Sequence, residues 1–132
     1  MKTAPRPRTV LLVDDSPFFR DMLSPLIKAA GYQVVSVGSA EQALAAAKSE
    51  TRIDLVITDI EMPDMDGFEL ASALRANPRT AAIPIIALSA MVSADAVERG
   101  RAVGFHDFVA KFDRTGLVAA LKEQSTDLHR VA

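Results

Sequence analysis

Apolar and polar positions follow two rhythms along this chain. Short apolar runs, rich in β-branched residues, recur at Thr9–Val13, Gln33–Val37, Ile53–Asp59, Ile83–Leu88 and Phe105–Ala110. Runs of this kind bounded by turn residues predict strands buried on both faces. Between them the spacing becomes helical. Phe18, Phe19, Met22, Leu23, Leu26 and Ile27 recur three and four residues apart. A helix is therefore predicted with Ser16 as N-cap, Pro17 at its first position and Gly31 as its stop. Pro25 should kink that helix or remove one backbone bond. Ser39 with Gln42 predicts a capping box and a helix to about Lys48. Asp66 with Glu69 predicts another, running to about Ala76, where Asn77-Pro78 breaks it. Further helices are predicted over Ala94–Val103, stopped by Gly104, and over Arg114–Gln124, capped by Asp113. Pro84 falls near the start of its strand, where a missing donor is tolerated best.

Strand and helix thus alternate five times. Near-continuous apolar strands joined by amphipathic helices predict an α/β fold with a parallel sheet covered on both faces. Right-handed crossovers and this size favour the flavodoxin-like strand order 2-1-3-4-5, doubly wound with five helices. One domain is expected over 9–124, with 1–8 as a flexible leader or linker stub and 125–132 as a frayed tail. No internal repeat or low-complexity segment is evident.

Composition narrows the function. The chain of 132 residues is 49% apolar with a net charge of −2. No basic face is implied, so nucleic acid is not an expected partner. The absence of cysteine removes disulfides, thiolate nucleophiles and thiolate metal sites. His106 and His129 are too far apart in sequence to suggest a histidine metal site. No apolar run approaches the ~20 residues that span a bilayer. "MKTAPRPR" is basic but has no apolar segment after it, so it does not read as a signal peptide. The expected location is the cytoplasm.

Candidate chemistry lies at the strand ends, where open α/β sheets carry their sites. The first strand ends at Asp14 and Asp15, the third at Asp59, the fourth at Ser89 and the fifth at Lys111. In the order 2-1-3-4-5 the first and third strands are neighbours at the switch point, so three carboxylates share one pocket with a hydroxyl and an ammonium. Like charges that close repel, and burying them costs more. Hard oxygen ligands so clustered suit Mg²⁺, which would offset the repulsion. Without metal, one acid should be strained or have a raised pKa. A pocket with Mg²⁺, lysine and hydroxyl suggests phosphoryl chemistry, with one carboxylate as nucleophile. Singly, each residue has an ordinary explanation. Asp14 is a possible helix cap, Asp15 a loop acid, Asp59 a turn residue, Ser89 a cap of the fourth helix and Lys111 a surface lysine. Jointly, their placement at four strand ends is hard to explain that way. His106 reads as a loop residue, and Met62, Met65 and Met91 as core or loop filler.

The segments "VDDS", "TDIEMPDMDG", "LSA" and "FVAKF", following or ending the strands, make the chain resemble the receiver domain of two-component response regulators, the CheY-like fold. The resemblance covers nearly everything from Thr9 to Gln124. It implies that Asp59 is the phosphoacceptor, taking a phosphoryl group from a partner histidine kinase. It implies Mg²⁺ held by Asp15, Asp59 and the backbone carbonyl of Glu61, with Asp14 acting through water. Ser89 and Lys111 would each contact a phosphoryl oxygen. Phe108 occupies the aromatic switch position, Pro63 matches the usual loop proline, and Gly67 permits a close turn into the third helix. Ser89 and Phe108 would then reshape the face of the fourth helix, fifth strand and fifth helix, where a downstream protein binds. Such a domain is a signalling phosphoacceptor that catalyses its own phosphorylation and dephosphorylation, not an enzyme with a separate substrate. Glu61 and Met91 are expected to tune the phosphate's lifetime.

One departure concerns the residue after the lysine. The family usually has proline there, often after a cis bond, whereas this chain has Phe112. A cis bond before a non-proline costs ~2.5–4 kcal/mol, so trans is expected. "GFHDFVAKFDR" resembles receiver domains at the C-terminus of hybrid CheA-type chemotaxis kinases, which makes chemotaxis one expected setting. The leader fits an excised or terminal domain and a free single-domain regulator alike. A haloacid-dehalogenase-like phosphatase would want an acid two residues after the nucleophile as aspartate, where this chain has Glu61. A flavodoxin-like cofactor binder would want a phosphate loop where this chain has the acidic "DDSPFF". A receiver that binds partners without phosphorylation would not need the intact set of five.

Overall fold

The computed structural model describes residues 7–49 and 52–131, the side chains of 125–131 excepted. His129 and most of the expected leader and tail therefore lie outside the described side chains. Ten elements alternate: β1 (Arg8–Val13), α1 (Pro17–Ala29), β2 (Tyr32–Val37), α2 (Ala40–Lys48), β3 (Leu55–Asp59), α3 (Gly67–Ala76), β4 (Ile85–Ser89), α4 (Ala94–Ala102), β5 (Asp107–Ala110) and α5 (Arg114–Val131). The strands form one parallel sheet in the order β2-β1-β3-β4-β5, as the alternation predicted.

Side-chain alternation along each strand builds two cores. Val10 and Leu12 of β1 point to one face, with Leu55, Ile57, Ile86 and Leu88, and are covered by Leu23 and Ile27 of α1 and Leu117 and Leu121 of α5. Leu11 and Val13 point to the other, with Val56 and Ile85, against Ala40, Ala43 and Ala47 of α2 and Leu70, Ala71 and Leu74 of α3. The alanines of α2 let it lie close to the sheet. A smaller cluster of Ile60, Phe68 and Ala87, with Phe105 and Phe108 packed on it, sits under α4.

Several boundaries differ from expectation. β3 starts at Leu55 and β4 at Ile85. Asp54 N–H still donates to Thr9 O at 2.9 Å, and Pro84 O accepts from Val56 N–H at 3.0 Å. Pro84 thus supplies its acceptor just ahead of β4 and is never asked for a donor. β5 starts at Asp107 because Phe105 N–H bonds back to Gly100 O, closing α4 instead of joining the ladder. α5 continues past Gln124 to Val131. The expected capping box of α2 is only half present. Ser39 accepts from Gln42 N–H, but the Gln42 side chain accepts from Gly38 N–H rather than from the cap residue. The box of Asp66 and Glu69 is complete. α1 runs unbroken through Pro25, which is exposed.

Two contacts tie loops to the frame. Arg75 of α3 donates to Ala81 O, Ile83 O and Gly104 O, each at 2.8 Å, joining the turns that lead into β4 and β5. Gly100, buried in α4, is the second. A Cβ there would meet Phe105 Cδ2 at 2.5 Å and Phe108 Cδ2 at 3.3 Å. Alanine is ordinarily favoured over glycine in a helix interior by ~1 kcal/mol. Here the ring contacts reverse that preference. Gly100→Ala is expected to lose about 1–3 kcal/mol in urea unfolding. The loss should disappear in the Phe105→Ala background; a stabilised Gly100→Ala would show that the rings yield freely.

Candidate functional site

The strand register gathers the predicted residues at one edge. Val13 pairs with Thr58, Asp59 with Leu88 and Ser89 with Ala110. The next residues of β1 and β5 are Asp14 and Lys111, so the carboxyl ends of four strands converge. Asp14 N–H continues the ladder onto Val37 O at 3.2 Å, and Lys111 N–H donates to Ser89 O at 2.9 Å. Gly67 lets α3 begin against this edge, since a Cβ there would lie 2.7 Å from Asp59 O and from Ile60 Cα.

Asp14, Asp15 and Asp59 each offer an oxygen within 4.8 Å of the others. Asp14 and Asp59 are buried, and Asp15 is exposed at the mouth. The Lys111 ammonium, its side chain only 10% exposed, lies 3.0 Å from Asp14 Oδ2 and 3.2 Å from Asp59 Oδ2. Asp14 Oδ1 accepts from Ser16 N–H at 2.9 Å, which turns Oδ2 inward. Asp59 Oδ1 accepts from Glu61 N–H at 3.2 Å. The helix cap is Ser16, not Asp14. Asp14 Oδ2 accepts no hydrogen bond, the nearby ammonium contributing charge rather than a well-directed donor. A buried oxygen left in this state, beside two further carboxylates, fits a hard cation that prefers oxygen ligands.

Electrostatics single out Asp59. Burial and then the charge of Asp14 push its pKa from 3.8 up to about 6, against the opposing pull of Lys111 and the Glu61 amide. Burial alone would lower the Lys111 pKa, but its contacts with Asp14 and Asp59 outweigh that and hold it raised. Lys111 is therefore a fixed cation, and Asp59 is the acid whose ionisation is resisted, as the clustering of acids predicted.

The Ser89 hydroxyl is buried but turned to its own loop. It donates to Met91 O at 2.6 Å and accepts from Met91 N–H at 3.2 Å. The cap of α4 is Ser93, so capping is not what Ser89 does. Phe108 is half-buried against Ile60, Phe68 and Ala87. Pro63 O accepts from Met65 N–H at 2.9 Å across Asp64, whose φ of 68° is left-handed, so the loop after β3 turns tightly. Met62 is buried in the second core, Met91 is exposed and His106 sits in an exposed bend, all as expected. There is no cis peptide bond among the described residues, so Lys111 reaches both acids with a trans bond to Phe112.

Sequence reasoning missed two neighbours of the site. Arg20 Nη1 donates to Asp14 O at 2.7 Å, bracing the acidic turn from α1. The Phe19 ring lies under the Lys111 ammonium, 4.1 Å from its centroid. Helical spacing had marked Phe19 only as core. The one hint was the Phe18-Phe19 doublet beside the acids, one ring more than a single apolar stripe needs.

Residues 10–122 match the response regulator receiver domain family. A gliding motility regulatory protein of Myxococcus xanthus is 40% identical over 102 residues, covering 77% of this chain but 13% of that protein. The chemotaxis protein CheY4 of Vibrio cholerae is 34% identical with a TM-score of 0.83, covering 89% of this chain and 98% of that one. The receiver domain of a sensor histidine kinase from Pseudomonas aeruginosa, described with a magnesium ion in its active site cleft, is 29% identical with a TM-score of 0.79, covering 90% and 98%. No helix among the described residues is long and apolar enough to cross a membrane.

The raised Asp59 pKa has a consequence for stability. The folded protein holds a proton at Asp59 more readily than the unfolded chain, so ionised Asp59 opposes folding above about pH 6. That handicap fades as pH falls through 6 towards 3.8. In magnesium-free buffer Asp59→Asn is expected to be more stable than the parent near pH 7, by on the order of 3 kcal/mol. The difference should shrink towards zero near pH ~4. Urea unfolding across that range checks it, and a difference independent of pH would refute the assignment.

Proposed function

The chain belongs to the response regulator receiver domain family of two-component systems, and we propose that Asp59 is its phosphoacceptor, charged by a histidine kinase. The observation that carries this reading is the pairing of a buried, reluctantly ionised Asp59 with the Lys111 ammonium 3.2 Å away. An oxygen of Asp59 attacks phosphorus in line. The bond from phosphorus to the donor imidazole nitrogen breaks, and the imidazole leaves with the electron pair and takes a proton from solvent. Lys111 neutralises charge on the transferring group without needing to move far, because it is already held at the pocket floor. Arg20 and Ser16 keep Asp14 in place through its backbone oxygen and its Oδ1.

Mg²⁺ is the proposed cofactor, held by Asp15, Asp59 and the backbone carbonyl of Glu61, with Asp14 acting through water. When bound, it neutralises the clustered carboxylates and the phosphoryl oxygens. The buried Asp14 Oδ2 without a hydrogen bond supports that assignment.

The output follows from Ser89. Its hydroxyl is spent on the Met91 carbonyl, and a phosphoryl oxygen on Asp59 competes for that donor. Releasing Met91 frees the loop before α4 and gives Phe108 room to turn inward. The surface of α4, β5 and α5 then changes for a downstream protein, a population shift driven by one local charge event. Likeness to a chemotaxis regulator favours that kind of signalling. The domain acts on itself rather than on a separate substrate.

Intact mass after incubation with a small phosphodonor and Mg²⁺ tests this. A gain of one phosphoryl group is expected, absent with EDTA and in Asp59→Asn. Lys111→Ala should slow the gain by ~10²–10³-fold. A folded parent that gains no mass would overturn the reading.

A further inference from the structure

Lys111 sits on a flexible stem of four carbons, yet its position decides both the charge of the pocket and the aim of a donor. Two carboxylates draw the ammonium inward. Nothing in that attraction stops it from swinging between them or out toward water. On its remaining side lies the face of Phe19, 4.1 Å from ring centroid to Nζ. That ring is itself held. Phe18 meets it edge-on at 5.4 Å and an interplanar angle of 83°, and Phe112 meets it at 5.3 Å and 67°. Phe18 and Phe112 are 65% and 72% exposed, so burying them is not what keeps them there; their contact is with Phe19. Phe112 directly follows Lys111, so the loop that carries the ammonium also carries a ring that orients its support.

We propose that Phe19 is a positioning residue for Lys111, its ring face confining the ammonium against Asp14 and Asp59 while Phe112 clamps the ring from the same loop. The π face attracts the cation electrostatically and keeps water off its outer side. An aliphatic side chain of similar size covers the same area but offers no such attraction. The role therefore depends on aromaticity, not on volume. It also accounts for Lys111 reaching both acids although an exposed Phe112, free of any steric lock on the backbone, follows it.

This inference rests on the phosphoacceptor reading, and the test separates the two. Phosphorylation by a small phosphodonor in Mg²⁺ is followed for the parent, Phe19→Leu, Phe19→Tyr, Lys111→Ala and Phe19→Leu/Lys111→Ala, with urea unfolding of each. Phe19→Leu is expected to lower the maximal rate by about 3- to 10-fold, with the donor concentration for half-maximal rate little changed. Phe19→Tyr should stay within about twofold of the parent, since it keeps the π face. In the Lys111→Ala background, Phe19→Leu should have no further effect. Independently of turnover, the ε-methylene protons of one lysine should be shifted upfield by the ring in the parent, with that resonance absent in Lys111→Ala and returned to the ordinary position in Phe19→Leu. A parent that is not phosphorylated overturns the phosphoacceptor reading and this inference with it. A phosphorylated parent with an unimpaired Phe19→Leu overturns the inference alone. So does an equal loss in the Lys111→Ala background, or the absence of a ring-shifted lysine.

Discussion

Lys111 between two buried carboxylates is the interaction on which the rest of the structure turns. Asp14 and Asp59, both buried and with oxygens within 4.8 Å of one another, would repel strongly if left alone. The ammonium at 3.0 and 3.2 Å makes the pair tolerable, while burial first and the Asp14 charge second still hold the Asp59 pKa raised. Losing the lysine would leave both acids uncompensated, so the last residue before the β5–α5 turn is tied to the first after β1. Such a pair is a weak source of stability. It holds the Asp59 carboxylate in a defined place, at a cost that the apolar cores absorb.

The sheet makes that juxtaposition possible. Parallel strands in register bring successive carboxyl ends to one edge, and the reversal of winding between β1 and β3 opens a crevice there. The close approaches behind the site serve the same end. Gly67 admits α3 against the end of β3, and Arg75 ties the turns entering β4 and β5. At the β4–α4 loop, Ser89 contacts the exposed Met91 through the latter's backbone N–H and carbonyl.

A line of aromatic rings runs from Phe108 of β5 to Phe68 of α3. Phe108 contacts Phe105 at 6.2 Å between centroids, and Phe105 contacts Phe68 at 5.5 Å. The Arg99 guanidinium of α4 lies over the Phe68 ring, 4.1 Å from its centroid. Gly100 leaves the space these rings fill. Packed groups of this kind change between discrete arrangements rather than deform smoothly, which suits a switch. A helix-weakening glycine in mid-helix is thus explained by what lies beneath it.

Much of this was legible in the chain. Apolar runs alternating with helical stripes specified a doubly wound parallel sheet, because side-chain periodicity is local and hydrophobic burial then leaves few topologies. Asp14, Asp15, Asp59, Ser89 and Lys111 could be assigned to one edge by noting where each run stopped. The directions of their side chains could not. That Ser89 faces Met91, that Gln42 reaches Gly38, and that Phe105 leaves the β5 ladder for Gly100 O were settled by competition among neighbouring donors and acceptors. The position of Phe19 under Lys111 is the clearest case. Both residues were visible in the sequence, one as core and the other as a site cation. Their meeting required α1 to lie on the same face of the sheet as α5, next to the turn that follows β5. Periodicity determines which elements form and which ends they share; contacts between distant segments decide where each polar group points, because those contacts exist only once the sheet has closed.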